Sequence, residues 1–134
     1  MHKYLDRLRR EGKTLFILKN GQTLFTSSEE GMRPLFDAIN TLGLQSLNDS
    51  IVVDKIVGKA AAILISYFQA KEVYCIVLSH GAKTFLEKQG MKHFSEQVIP
   101  VIKNKLGTDM CPFEKVILNV EDPQEGYEVL TKKL

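Results

Sequence analysis

Three stretches of the chain set reactive side chains beside residues that start helices. They are Asp54-Lys55-Ile56-Val57-Gly58-Lys59-Ala60, Leu78-Ser79-His80-Gly81-Ala82-Lys83 and Met110-Cys111-Pro112. Lys59 opens a nearly all-apolar run, so its ammonium must snorkel, pair with a carboxylate, or serve a site. Asp54 lies one helical turn before Gly58 and reads either as a helix N-cap or as the carboxylate of a pair with Lys59. His80, at a helix start, is placed to act as a neutral base or hydrogen-bonding group. Ser79 reads as an N-cap that leaves the N–H groups of Gly81 and Ala82 to hold a phosphate or carboxylate. Cys111 precedes a proline-started helix, a position that suits a nucleophile and equally a plain buried thiol. Glu114, three residues on, resembles half a capping box. Lys83, His2 and His93 read as solvated surface residues.

The elements that must carry these groups follow from periodicity and punctuation. Tyr4, Leu5 and Leu8 recur at helical spacing up to Gly12. Leu15-Phe16-Ile17-Leu18, then Asn20-Gly21, then Thr23-Leu24-Phe25-Thr26 reads as a hairpin. Ser27 or Ser28 is expected to cap a helix whose stripe is Met32, Leu35, Phe36, Ile39 and Leu42 and which ends at Gly43, with residues 45–50 as a loop. Ile51-Val52-Val53 is a short β-branched run, and Asp54 is expected to cap a long buried helix reaching Ala70. Val73 to Leu78 is apolar throughout, as in a strand covered on both faces, and Ser79 starts a helix that runs to Gly90. Phe94 to Ile102 reads as a strand that Pro100 consigns to an edge or a bulge. Pro112 and Asp122-Pro123 mark two further helix starts. This order predicts an α/β fold, a mixed sheet with helices on both faces, as one domain over residues 1–134. No GxGxxG or Walker-type loop is present.

Composition narrows the function. The chain has 134 residues, 44% hydrophobic and 25% charged, with a net charge of +2 from 18 basic and 16 acidic side chains. So even a balance supplies no electrostatic case for a nucleic-acid or membrane partner. The two cysteines, Cys75 within an apolar run and Cys111, do not make a disulfide scaffold, which fits a reducing cytoplasm. The first ten residues lack an apolar h-region, so no signal peptide is expected, and no apolar run nears the ~20 residues that cross a bilayer.

The two central stretches resemble the cytidine deaminases. Those enzymes carry a zinc-ligating Cys or His and a catalytic Glu, one residue apart, on the helix after the hairpin. A strand and a Pro-Cys-x-x-Cys turn follow. Here the first motif falls on Val57-Gly58-Lys59 and the second on Ser79-His80-Gly81-Ala82-Lys83. Val57 cannot bind zinc, Lys59 stands where the general acid/base Glu belongs, and His80 and Lys83 replace the two cysteines. A zinc site needs three ligands and an open position, so the resemblance implies the fold without zinc deamination, and no metal or cofactor is expected. Asn20 to Glu30, Asp54 to Ala62, Ser79-His80-Gly81 and Thr108 to Glu114 together are similar to an uncharacterised prokaryotic family of that superfamily lacking the metal site. The resemblance implies a three-layer α/β/α sandwich with a mixed sheet of four to five strands. A folate-dependent transformylase of purine synthesis uses a Lys and a His in this fold without metal, by analogy only.

The resulting expectation is a pocket for a small anionic metabolite, nucleotide-like or otherwise. Lys59 and the helix start at His80 would neutralise the anion, Asp54, Ser79, Gly81 and Ala82 would bind, and Lys59, His80 or Cys111 would act chemically. The alternatives are a non-catalytic binding or sensing module using the same pocket, and an interaction protein whose apolar faces form a homo-oligomer.

Overall fold

The computed structural model describes residues 2–134. The elements run α1 (Lys3–Arg10), β1 (Leu15–Lys19), β2 (Gln22–Ser27), α2 (Arg33–Leu47), β3 (Ile51–Val57), α3 (Lys59–Tyr67), β4 (Glu72–Ser79), α4 (His80–Lys88), β5 (Lys92–Ile99), α5 (Pro112–Val116) and α6 (Pro123–Lys133). The chain is α/β, with one five-stranded mixed sheet of order β2-β1-β3-β4-β5. β1 pairs antiparallel with both β2 and β3, and β3, β4 and β5 run parallel. β4 is thus interior and β5 lies at an edge, where Pro100 follows its last residue and costs no ladder bond.

Strand alternation sends side chains to both faces. Leu15, Ile17, Val52, Val73 and Cys75 join the main core with α2, α3, α4 and α6, while Phe16, Leu18, Val53 and Tyr74 pack with Leu5 and Leu8 of α1. α3 is the centre of the larger cluster: every residue from Ala60 to Ser66 is buried, as an almost wholly apolar helix requires. α1 has a single stripe, Leu5 and Leu8, and shows charges to water. Its N-cap is His2, whose Nδ1 accepts from the Tyr4 N–H and whose ring lies 4.3 Å from that of Tyr74. His2 is therefore part of the packing on this face rather than a solvated residue.

Several boundaries differ from the sequence reading. Asp54 is not an N-cap. It lies inside β3, because the β-branched Ile56 and Val57 continue the strand to pair with Val77 and Leu78 of β4. α3 starts at Lys59 with Gly58 as N-cap and closes at Phe68. α2 is capped by Met32, not Ser27 or Ser28; the Ser27 hydroxyl instead accepts from the Glu29 N–H. Gly43, at φ 80° and ψ 164°, interrupts α2, but a last turn resumes to Leu47 where a loop was expected. Residues 101–111 carry only an isolated bridge, Lys103 to Met110, so the strand expected to reach Ile102 stops at Ile99. Among the described residues no helix is long and apolar enough to cross a membrane.

Candidate functional site

The parallel strands β3 and β4 deliver two helix starts to the same end of the sheet, the end where α/β folds gather ligands. The starts of α3 and α4 touch: a Cβ on Gly81 would lie 3.8 Å from Cβ of Lys59. Lys59, Ser79 and Gly81 line one small cavity there, of about 150 Å³, roofed by residues such as Ile102 and Met110. His80 is exposed and is not part of this cavity's lining. The structure thus brings Lys59 to Ser79 and Gly81 without bringing His80 into the same space.

The polar groups at this junction are already engaged. The Lys59 ammonium, on a side chain only 12% exposed, donates to Glu121 Oε2 at 2.6 Å and to the Leu118 carbonyl at 3.0 Å. Lys88 also pairs with Glu121, so two cations hold that carboxyl below its usual range, chiefly through the Lys59 hydrogen bond. The backbone N–H groups of Lys59 and Ala60 each donate, at 2.8 Å, to the two carboxylate oxygens of Glu114. Glu114 therefore fills the anion position at the start of α3. Its carboxyl is buried, which pushes its pKa up, and the two N–H bonds oppose that shift. Gly58 makes this approach feasible, since a Cβ there would lie 2.6 Å from Glu114 Oε1 and 2.8 Å from Ile102 Cγ1. Glu114 does cap a helix, though it is α3, fifty-five positions away, and not its own. At α4, Ser79 Oγ accepts from the Ala82 N–H at 3.0 Å. Ala82 is fully buried and its N–H is taken by the cap, so it is not a free donor for a ligand.

A second cavity, of about 140 Å³, shares Ile102 and Glu114 with the first and is lined by Gly58 as well. Asp54 and Cys111 line it, with a wall that is mostly apolar: Met32, Leu35, Ile56 and Phe113. Asp54 is positioned by register, opposite Leu15 of β1 and Cys75 of β4. It is partly buried, and its carboxylate makes no ion pair or side-chain hydrogen bond among the described residues; Lys55, its neighbour in β3, leans to Glu30 instead. Desolvation pushes the Asp54 pKa up to about 7, with the nearby Glu30 adding to the rise and the N–H groups of Lys55 and Ile56 opposing it. Beneath it, burial first and the charge of Asp54 second push the Cys75 thiol up to about 12, leaving an inert core thiol. Cys111 is half-buried at the N-cap of α5, and its side chain makes no capping bond. No base is hydrogen-bonded to its sulfur among the described residues. Nor do three His, Cys, Asp or Glu side chains gather there in a cluster that could hold a metal.

Of the sequence candidates, then, Lys59, Ser79 and Gly81 share one cavity, Asp54 and Cys111 share the other, and His80 and Ala82 line neither. What sequence reasoning missed is the second cavity itself and the buried role of Glu114. A carboxylate pinned to a helix fifty-five positions away leaves no local signal.

Comparison with known proteins places the chain by family. The model of a family described as a domain of unknown function (DUF1893) matches residues 3–134. No curated protein matches. Among solved structures, the crystal structure of a DUF1893 family protein (TM1506) from Thermotoga maritima is similar with a TM-score of 0.87 and 28% identity, over 97% of this chain and 86% of that one. The shared fold and the family match over nearly every residue lead to one conclusion: the chain belongs to the DUF1893 family.

Proposed function

We propose that the chain is a cytidine-deaminase-like domain without zinc chemistry that serves as a binding module for a small metabolite, held in the cavity lined by Asp54 and Cys111. The deaminase-like reading is supported by the meeting of the α3 and α4 starts, which sets Lys59 against Gly81 where the two zinc motifs of that superfamily converge. Val57 closes β3, Gly58 caps α3 and Lys59 is its first residue, an arrangement that supports the same reading. Their donor chemistry, an aliphatic side chain and amines, does not suit zinc.

One observation carries the binding reading: the Asp54 carboxylate lines a small, mainly apolar cavity at the ligand end of the sheet and has no side-chain partner. A carboxyl group left in that state costs stability, and groups so placed mark binding and catalytic sites. Binding is favoured over catalysis because the Cys111 thiol on the wall has no base hydrogen-bonded to it among the described residues. An anion at the Lys59 junction has less support. The ammonium there is held by Glu121 and Leu118, and the helix start by Glu114.

Backbone amide shift mapping with a library of single-ring fragments tests the reading. Shifts should gather at residues around Asp54, Met32, Phe113 and Cys111. A response confined to Lys59, Ser79 and Gly81, or none anywhere, would overturn it.

A further inference from the structure

The charges around the Asp54 cavity say what kind of molecule it accepts, on the premise that this cavity is the binding site. Its lining residues include four acids, Glu29, Glu30, Asp54 and Glu114, and one base, Lys55. Lys55 is turned to Glu30, at 3.9 Å, and Glu114 to the N–H groups of α3. Asp54 remains as an acceptor that, among the described residues, meets backbone N–H groups but no side-chain donor, and Glu29 adds negative charge at the wall. An anion entering this space would meet like charge, which is unfavourable. A cation with paired N–H donors would meet a carboxylate able to accept both at once.

Size limits the rest of the molecule. A cavity of about 140 Å³ matches the space, about 150 Å³, that holds one benzene ring in a dry protein interior. The apolar side chains Met32, Leu35, Ile56 and Phe113 suit such a body. We infer that the site takes a small organic cation of the amidine or guanidine class, whose planar N–H fork engages Asp54 and whose apolar part lies against Met32 and Phe113.

Three probes of one shape and different charge separate the possibilities: benzamidine (cationic), benzamide (neutral) and benzoate (anionic). Each is titrated at pH 8 into the full chain and into the Asp54→Asn variant, with amide shifts reporting both site and affinity. The inference predicts that benzamidine binds the native protein at least tenfold more tightly than benzoate, with shifts around Asp54, and that Asp54→Asn weakens benzamidine at least tenfold while changing benzamide little. Benzoate binding there as tightly as benzamidine would overturn the assignment of charge and leave the cavity reading standing, as would benzamidine binding Asp54→Asn undiminished. If no probe perturbs the lining residues, the cavity reading fails and the ligand class fails with it.

Discussion

Two cavities lie a few side chains apart at one end of the same sheet, and their polar groups are in opposite states. At the junction of α3 and α4 every charge has its answer: Lys59 holds Glu121 and Leu118, Glu114 holds the first N–H groups of α3, and Ser79 holds Ala82. Beyond the shared residues Ile102 and Glu114, Asp54 faces apolar side chains with, among the described residues, only neighbouring N–H groups to steady it. The first arrangement ties α5 and the segment before α6 to α3, and so stabilises the fold. In the second, desolvation disfavours the charged carboxylate, so a proton or a cationic partner would stabilise it. Lysines at a helix start invite a functional reading from sequence, yet here the unanswered group is an acid in a strand.

Substitution at Asp54 should matter most. Its folded pKa, about 7, lies above the unfolded value near 3.8. The folded state then retains a proton that the unfolded state gives up, so this group's contribution falls as pH rises from about 4 to 7 and is level above that. Glu30 and Glu29 from the loop after β2, Lys55 on β3, Cys75 on β4, and Cys111 and Glu114 at α5 are the titratable groups around it. Asp54→Asn should match the native protein near pH 4 and exceed its stability at pH 8 by up to about 4 kcal/mol, as read by urea unfolding at both pH values.

Glu114→Ala comes next and tests the satisfied side. It strips the acceptor from two helix N–H groups and should destabilise by about 2 kcal/mol, seen as a lower urea midpoint at unchanged slope. Lys59→Met should cost about 1 kcal/mol through the lost Glu121 pair. The smallest effect is expected at exposed His80, where replacement by Ala should shift stability by less than about 0.5 kcal/mol and leave fragment binding around Asp54 unchanged.

Much of the frame was readable from local chemistry. Asn20-Gly21 announced the hairpin, and both residues take positive φ, 52° and 78°. Ser79 and Asp122 were legible as caps and do accept from the N–H groups of Ala82 and Glu125. Pro100 pointed to an edge or a bulge; β5 does lie at the edge, although it ends at Ile99, before that proline. Asp54 was misread because Ile51-Val52-Val53 is too short to show where a strand ends. What extends β3 through Asp54 to Val57 is pairing with Val77 and Leu78, information that resides in β4. The site was half visible for the same reason. Lys59 and Gly81 could be brought together by topology, but the partners that satisfy Lys59 come from residues 114–121, and the walls around Asp54 come from α2 and α5. Long-range contacts of that kind decide which polar group is left over, and spacing along the chain does not encode them.

The carboxyl of Asp54 lines its cavity with no side-chain partner among the described residues, and desolvation raises its pKa. Carbon-13 NMR of aspartate side-chain carboxyls, assigned by loss of one signal in Asp54→Asn and followed from pH 3 to pH 9, measures that directly. A midpoint near 7 for Asp54 is the predicted result. A midpoint near 4, that of an ordinary solvated aspartate, would contradict the claim and remove the basis for a ligand site there.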